Sequence, residues 1–360
     1  MGLHELELRN FRLFKEFRFT PDRDAVTVLL SPNGTGKTSV LEAVYALATA
    51  SSFRTSAASD MIRTSEQIAE VHGVLFQRER RVQVDLTLTR GVRNTTKRML
   101  VNGQRPQSRS DVAAALPLTV FTPEGVDIVR QGPENRRTFL THLLGDVDLN
   151  AGEVIERFAR VLSQRNALLR ALQGERPSST QREELDIWSL DFSRVSEELI
   201  ILRRAVLRDL APLVTEFYRE LADDGLDVGI EYEQSWRGDL FAALQLCLDD
   251  DRFRGHTTIG PQRDDIALRL NGRDARRQAS QGEQRSLALA LRLGGHALVQ
   301  RSRGVDPLLL LDDVFSELDP LRSDRLLRLL PAGQTLVTTA SPLPTGMNPA
   351  AVVDLSSDLS

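Results

Sequence analysis

Residues 26–50 combine a strand, a glycine-containing loop and a helix in an order that few folds accommodate. "VTVLL" is a short apolar run typical of a buried strand, and from Thr38 apolar residues recur at the three- and four-residue spacing of a helix. Between them lies "SPNGTGKT", residues 31–38. This order predicts an α/β layer in which a strand of a parallel sheet turns tightly into a helix.

The loop matches the pattern G-x-x-x-x-G-K-[ST] except that Ser31 replaces the first glycine. In such a loop backbone N–H groups and the helix N-terminus face phosphate oxygens, the lysine reaches the β and γ phosphates, and the hydroxyl binds Mg²⁺. Serine is small and begins the turn, so we expect a functional loop. The residues predicted to hold ATP and Mg²⁺ are Ser31, Pro32, Asn33, Gly34, Thr35, Gly36, Lys37 and Thr38.

A second motif is "LLLLDD", residues 308–313, where an apolar strand ends in two carboxylates. Asp312 suits Mg²⁺, through water, and Asp313 is placed to orient or deprotonate an attacking water. Two acids after an apolar run are common in proteins. The phosphate-binding loop in the same chain is what favours the catalytic interpretation.

A third motif is "ASQGEQRSLALALRL", residues 279–293, in which a Ser-x-Gly turn opens an amphipathic helix. The turn has two interpretations, which stay open here. It is an anion-binding helix N-terminus, or it is a capping box in which Ser280 and Glu283 satisfy each other's backbone.

The remaining pattern divides the chain. Residues 71–103 alternate as antiparallel strands, and residues 133–222 hold two long helical patterns around "QGERPSST". At about 1.5 Å per residue these form a hairpin arm of roughly 30–60 Å. The predicted fold is α/β: a head with a parallel sheet and an antiparallel subdomain, residues 1–122 and 255–360, interrupted by a helical arm, residues 123–254.

Composition limits the classes of function. The net charge is −4, so any contact with DNA needs a local basic patch. The lone Cys247 excludes a disulfide framework, and no apolar run reaches the roughly 18 residues of a membrane span, so we expect a cytoplasmic protein without a membrane partner. The candidate patch, otherwise a solvated charged face, is Arg78, Arg80, Arg81, Arg90, Arg93, Lys97 and Arg98.

Further stretches carry a resemblance. They are "LRNFRLF" near the start, "SFRT" at 52–55, "VFTPEGVDIVRQGPENRRTFL" at 120–140, "GPQRDD" at 260–265, "SQGEQR" at 280–285 and "SELD" at 316–319. With the phosphate-binding loop and the acidic strand in this order, the chain resembles ABC-type ATPase heads of the SMC-like group, and among them the RecF family of bacterial recombination mediators.

The resemblance implies roles for named residues. Lys37 and Asp313 are catalytic, Thr38 and Asp312 hold Mg²⁺, and Arg12 approaches the nucleotide. The turn residues Ser280, Gly282 and Gln284 touch the γ-phosphate of ATP held by a second copy, and Asp319 makes a further contact across that homodimer.

It also implies a function: a nucleoid-associated, DNA-dependent ATPase of recombinational repair, replication restart and the SOS response. Two copies, joined head to tail by ATP, would clamp double-stranded or gapped DNA. They would help RecO and RecR load RecA there.

Three other protein classes share parts of this pattern. The ATPase subunit of a membrane transporter shares the three motifs but carries a His after its last strand, where this chain has Thr338 and Thr339, and a Gln near Pro123 and Glu124. A P-loop small-molecule kinase would leave the Ser280 turn as an idle capping box. A structural SMC head needs arms of hundreds of residues.

The acidic strand generates a first prediction. Asp313 is shorter than the Glu of many related ATPases and no His follows the last strand, so we expect hydrolysis well below about 10 per second, a typical enzyme turnover. A steady-state phosphate-release assay with and without duplex DNA measures it. A turnover above that value contradicts the prediction.

Overall fold

The computed structural model describes residues 2–77, 80–92, 94–106, 112, 116–174, 178–222 and 225–355. The chain forms two compact units. Unit 1 comprises Met1–Gly125, Glu216–Asp224 and Leu289–Ser360, and unit 2 comprises Val126–Thr215 and Gly225–Ala288. The predicted insertion, residues 123–254, overlaps unit 2, which also includes residues 255–288.

Many of the strands and helices follow the order expected from the sequence, but residues 228–233, inside the predicted helical insertion, form a strand that pairs with residues 265–270. The strands are β1 (Gly2–Phe11), β2 (Phe14–Phe19), β3 (Val26–Leu30), β4 (Ile68–Gln77), β5 (Arg80–Thr89), β6 (Thr96–Val101), β7 (Leu118–Phe121), β8 (Val228–Glu233), β9 (Asp265–Leu270), β10 (Arg273–Asp274), β11 (Leu308–Asp312), β12 (Thr335–Thr339) and β13 (Ala351–Asp354). The α-helices are α1 (Lys37–Thr49), α2 (Asp127–Arg130), α3 (Pro133–Val147), α4 (Ala151–Ala171), α5 (Ser179–Ala222), α6 (Leu240–Leu246), α7 (Leu248–Arg254), α8 (Ala275–Gln278), α9 (Gln281–Arg303) and α10 (Pro320–Leu329).

Unit 1 contains the predicted parallel sheet, in the order β13-β3-β12-β11-β7. Every residue of β11 is buried, as expected for a parallel strand covered on both faces. Asp312 lies opposite Thr338, and Thr339 lies opposite Leu30. The carboxyl ends of β11, β12 and β3 therefore meet at one edge of the sheet, where such folds bind their ligands.

Unit 1 also contains an antiparallel sheet, in the order β2-β1-β4-β5-β6. Along β5 the alternate residues Val84, Leu86 and Leu88 are buried and join the core around α1. This period of two explains why the subsheet is readable from the sequence.

In unit 2, α4 and α5 form the predicted antiparallel hairpin. Arg157 pairs with Glu198, and Arg165 donates to Ser189, so partners on the two helices run in opposite directions. Helix α5 has 44 residues, longer than the pattern indicated.

A buried ion pair ties the hairpin to α7. Arg165 and Asp251 are both 0% exposed and lie 2.8 Å apart. Thr257 accepts from Arg165 at 2.7 Å, and Thr258 donates to Asp251 at 2.6 Å. Burial lowers the pKa of Arg165, opposed by Asp251, so the surrounding bonds are what keep this charge inside the fold.

The role of the stretch "GPQRDD" is open in the sequence. In the structure its two carboxylates bond to neighbouring elements of unit 2. Asp264 is 1% exposed and accepts from the Tyr232 hydroxyl at 2.6 Å and from the Ser235 N–H at 2.8 Å. Asp265 receives both sides of the Arg136 guanidinium, at 2.7 and 2.9 Å. These carboxylates therefore connect β9 to β8 and α3.

No helix in the described part of the chain is long and apolar enough to cross a membrane.

A buried histidine in unit 1 generates the second prediction. His296 on α9 is 3% exposed and contacts Thr119 at 3.2 Å, and burial lowers its pKa to about 4, opposed by Asp306. In the unfolded chain the same histidine binds a proton near pH 6.5. The folded protein therefore keeps its full stability above that pH and loses part of it as the pH falls toward 4. Between pH 7.5 and 5 the loss is about 2 kcal/mol.

His296→Gln removes this pH-dependent contribution. Denaturant unfolding of both proteins at the two pH values measures it, because other groups cancel in the difference. Equal losses of stability in both proteins contradict the prediction.

Candidate nucleotide-binding site

The predicted loop joins β3 to α1 in the geometry that phosphate binding requires. Gly34 and Gly36 have φ angles of 86° and 94°, which favour glycine. A Cβ at Gly36 would lie 2.7 Å from the Phe14 ring, so no larger residue fits there. Helix α1 begins directly at Lys37.

Lys37 is held within the loop. It is 6% exposed, and its ammonium donates to the carbonyl oxygens of Ser31 and of Pro32, the latter at 2.8 Å. Burial lowers the pKa of Lys37, while Asp313 and Asp312 raise it. Two of the three ammonium protons are used, which leaves one for a phosphate oxygen.

Asp312 lies against the start of α1. Its Oδ1 accepts from the Thr38 hydroxyl at 2.8 Å and from the Thr338 hydroxyl at 2.7 Å. Burial raises the pKa of Asp312, and the two hydroxyl donors oppose that shift. A hydroxyl beside a carboxylate fits Mg²⁺, which takes oxygen ligands and commonly keeps waters and substrate phosphates as its other ligands. The described residues thus provide a donor set that fits the ion.

Asp313 has an unusual backbone. Its φ is 48°, and its N–H donates to the carbonyl and the hydroxyl of Thr338, at 3.1 and 3.0 Å. Its Oδ1 is buried and, within the described part of the chain, has no hydrogen-bond partner. A left-handed non-glycine backbone beside a buried, unpartnered carboxylate oxygen is found most often at functional sites.

Arg12 is positioned by a carboxylate that the sequence analysis did not select. Glu42 on α1 is 0% exposed and accepts from Arg12 at 2.8 and 2.5 Å and from the Ser52 hydroxyl at 2.5 Å. Arg54 lies 3.5 Å from the same carboxylate. The only signal in the sequence is one acid among apolar residues in "SVLEAVYAL".

The Ser280 turn, in unit 2, forms the capping box. The Ser280 N–H donates to Glu283 at 2.5 Å, and the Glu283 N–H donates to the Ser280 hydroxyl at 3.3 Å. Ser280 is exposed and Gly282 half-buried. Gln284 is 7% exposed and its side chain bonds within its own unit. A γ-phosphate contact of these residues stays a prediction.

Asp319 caps α10. It accepts from the Arg322 N–H at 2.9 Å and pairs with the Arg322 guanidinium at 2.5 Å. The Arg322 N–H bond, followed by the Arg322 side chain, lowers the pKa of Asp319. Its contact across a dimer stays a prediction.

The predicted basic patch is dispersed. Arg80 and Arg81 begin β5, Arg90 follows it, and Lys97 and Arg98 lie on the neighbouring β6. These five are exposed. Arg98 lies opposite Thr87, on the same face as Arg81, whereas Lys97 lies opposite the buried Leu88. Arg78 and Arg93 lie outside the described residues.

Comparison with known proteins identifies the family. The family model described as "RecF/RecN/SMC N terminal domain" matches residues 2–342. Two relatives are named "DNA replication and repair protein RecF". That of Acidothermus cellulolyticus is 34% identical over 354 residues, 95% of this chain and 94% of the relative. That of Geobacter sulfurreducens is 36% identical over 340 residues, 92% and 90%.

The chain belongs to the RecF family. A structure titled "Structure of the recombination mediator protein RecF-ATPrS in RecFOR pathway" covers 98% of this chain and 97% of its own, at 26% identity and a TM-score of 0.86. The predicted fold class and the interpretation as an ATP-binding ABC-type ATPase with a role in DNA repair are confirmed. A solved SmcHead, 17% identical with a TM-score of 0.54, shows only the shared fold.

The third prediction concerns Glu42. Glu42→Gln keeps the shape of the side chain but leaves Arg12 and Arg54 without their shared carboxylate. Since removing one member of a buried pair costs about 3–5 kcal/mol, and Arg12 is partly exposed, we expect a loss of about 3 kcal/mol in unfolding free energy.

Chemical denaturation measures this loss. The matched control is Glu16→Gln, at an exposed glutamate on β2, which should change stability by less than about 0.5 kcal/mol. The prediction is wrong if both variants match the unmodified protein.

Proposed function

We propose that two copies of this chain close head to tail around two ATP molecules and clamp DNA, and that slow hydrolysis releases the clamp. The observation that carries the proposal is the sheet edge of unit 1. There the phosphate-binding loop, the Thr38–Asp312 pair and the unpartnered carboxylate oxygen of Asp313 lie together.

ATP would bind through the 31–38 loop. Lys37, already held by two carbonyl oxygens, directs its remaining proton to the β and γ phosphates. Thr38 and Asp312 would hold Mg²⁺, which neutralises charge on the phosphates during transfer. Arg12, fixed by Glu42, has donors left to approach the nucleotide.

Asp313 is the proposed catalytic carboxylate. It would accept a proton from, or orient, the water that attacks the γ-phosphate, because its Oδ1 has no hydrogen-bond partner in the described part of the chain. The bonds from the Asp313 N–H to Thr338 hold the backbone at this position. The side chain is shorter than the Glu of many related ATPases, which supports slow hydrolysis.

The Ser280 turn is the proposed contact between the two copies. The turn begins the 23-residue helix α9, and the N-terminus of a long helix favours negative charge. The proposal assigns it the γ-phosphate of ATP bound by a second copy, with Asp319 as a further contact. ATP then joins the two copies, and loss of the γ-phosphate separates them.

DNA would be the clamped partner. A related structure is titled a recombination mediator in the RecFOR pathway, and relatives are named DNA replication and repair proteins. Contact through exposed arginines to phosphates would be independent of base sequence and would weaken with salt. The DNA would be double-stranded or gapped. RecR and RecO would be the protein partners, and the outcome would be the loading of RecA near the nucleoid.

The family assignment favours this function over the alternatives. A transporter subunit and a small-molecule kinase share the phosphate-binding loop, but the match to relatives named DNA repair proteins covers 95% of this chain.

The test is the mass in solution. With a slowly hydrolysed γ-thio analogue of ATP the protein should be dimeric, and without it single. Lys37→Met should stay single because it loses the nucleotide. Ser280→Arg should bind nucleotide yet dimerise at least about tenfold more weakly, a difference of about 1.4 kcal/mol.

Ser163→Arg is the matched control, since it adds the same side chain at an exposed serine on α4. A Ser280→Arg variant that dimerises as the control does would sink the proposal. A protein that fills its site with the analogue and remains single would do the same, and would leave the kinase alternative.

A further inference from the structure

The Ser280 turn is connected to a distant part of unit 2 by three side chains. Arg130, at the end of α2, donates from Nε to the Gln284 Oε1 at 2.9 Å. Arg276, on α8, donates from Nε to the Arg130 carbonyl oxygen at 3.0 Å. We refer to Arg130, Arg276 and Gln284 as the Arg130 clasp.

Gln284 fixes the geometry of the clasp. Its Nε2 donates to the carbonyl oxygens of Ala275 and Arg276, each at 3.1 Å. Arginine can only donate and carbonyl oxygens can only accept, so only one orientation of the amide satisfies all three bonds. Both ends of this 7% exposed side chain are therefore used inside unit 2.

Arg130 has no carboxylate partner among the residues that the structure describes. Within that part of the chain its guanidinium bonds to the amide of Gln284, and its second terminal nitrogen is buried without a partner. The arrangement keeps a positive charge beside the first turn of α9.

We propose that Arg130 is a positioning residue for the Ser280 turn. This role rests on the proposed function, because the Ser280 turn contributes to dimerisation only if it meets ATP bound by a second copy. Through the clasp, Arg130 holds α8 and the start of α9 in one arrangement. Since α2 continues directly from the turn at Pro123–Val126, this assigns a task to the segment where related ATPases carry a Gln.

The clasp predicts different effects on nucleotide binding and on dimerisation. Arg130 is not part of the phosphate-binding loop, so its loss should leave nucleotide binding by a single copy unchanged. It should weaken only the ATP-driven association of two copies. A merely structural residue would lower thermal stability without separating these two measurements.

The experiment measures both quantities in the full chain. Arg130→Ala should bind a fluorescent ATP analogue within about twofold of the unmodified protein and dimerise about tenfold more weakly with the γ-thio analogue. Arg276→Ala loses a single hydrogen bond and should weaken dimerisation about threefold. The matched control is Arg277→Ala, at an adjacent exposed arginine, which should change neither.

Two further variants protect the test. Gln284→Glu keeps the acceptor for Arg130 but loses the donors to Ala275 and Arg276, so it should also weaken dimerisation. In a double-mutant cycle, Arg130→Ala and Gln284→Ala should cost less together than the sum of their separate effects. If Arg130→Ala does not fold, the dimerisation of Arg276→Ala is compared with that of Arg277→Ala, and this comparison decides the proposal.

The outcomes separate the two proposals. If Ser280→Arg dimerises normally, the head-to-tail dimer is wrong and the clasp has no role in it. If Ser280→Arg blocks dimerisation while Arg130→Ala and Arg276→Ala behave as Arg277→Ala does, only the positioning role of Arg130 is overturned.

Discussion

The site depends on the hydrogen bonds that the carboxylate of Asp312 accepts. Its Oδ1 receives the hydroxyls of Thr38 and Thr338, so one oxygen joins the end of β11 to the start of α1 and to β12. Thr338 donates to Asp312 and accepts from the Asp313 N–H. The place of Asp313 thus follows from that of Asp312, and burial alone would favour a protonated Asp312.

Features encoded by local pattern were predictable from the sequence. The run Leu308–Leu311 identified a buried strand, alternation identified the antiparallel sheet, and the loop spacing identified Lys37 and Thr38. Contacts between distant segments were not. Glu42 on α1 meets Arg12, which lies in the turn after β1 in a left-handed conformation, φ 52°. The γ-phosphate contact of Gln284 stays a prediction, and the bonds that the structure shows for this side chain depend on the packing of α2 and α8.

The two interpretations of the Ser280 turn describe one structure. The capping box satisfies two N–H groups of the turn through Ser280 and Glu283, and it orders the helix end that the proposed function presents to a phosphate. The same dual use applies to "GPQRDD", where carboxylates that resemble a functional motif serve the packing of β8, β9 and α3. Chemistry-bearing residues in a sequence therefore need their partners before a role is assigned.

The carbonyl oxygens of Ser31 and Pro32 hold the Lys37 ammonium within the loop. A lysine already oriented before its ligand arrives loses little conformational entropy on binding. In the proposed cycle, capture of ATP would not wait for this side chain to order. The later steps, hydrolysis and separation of the two copies, would then set how long each dimer lasts.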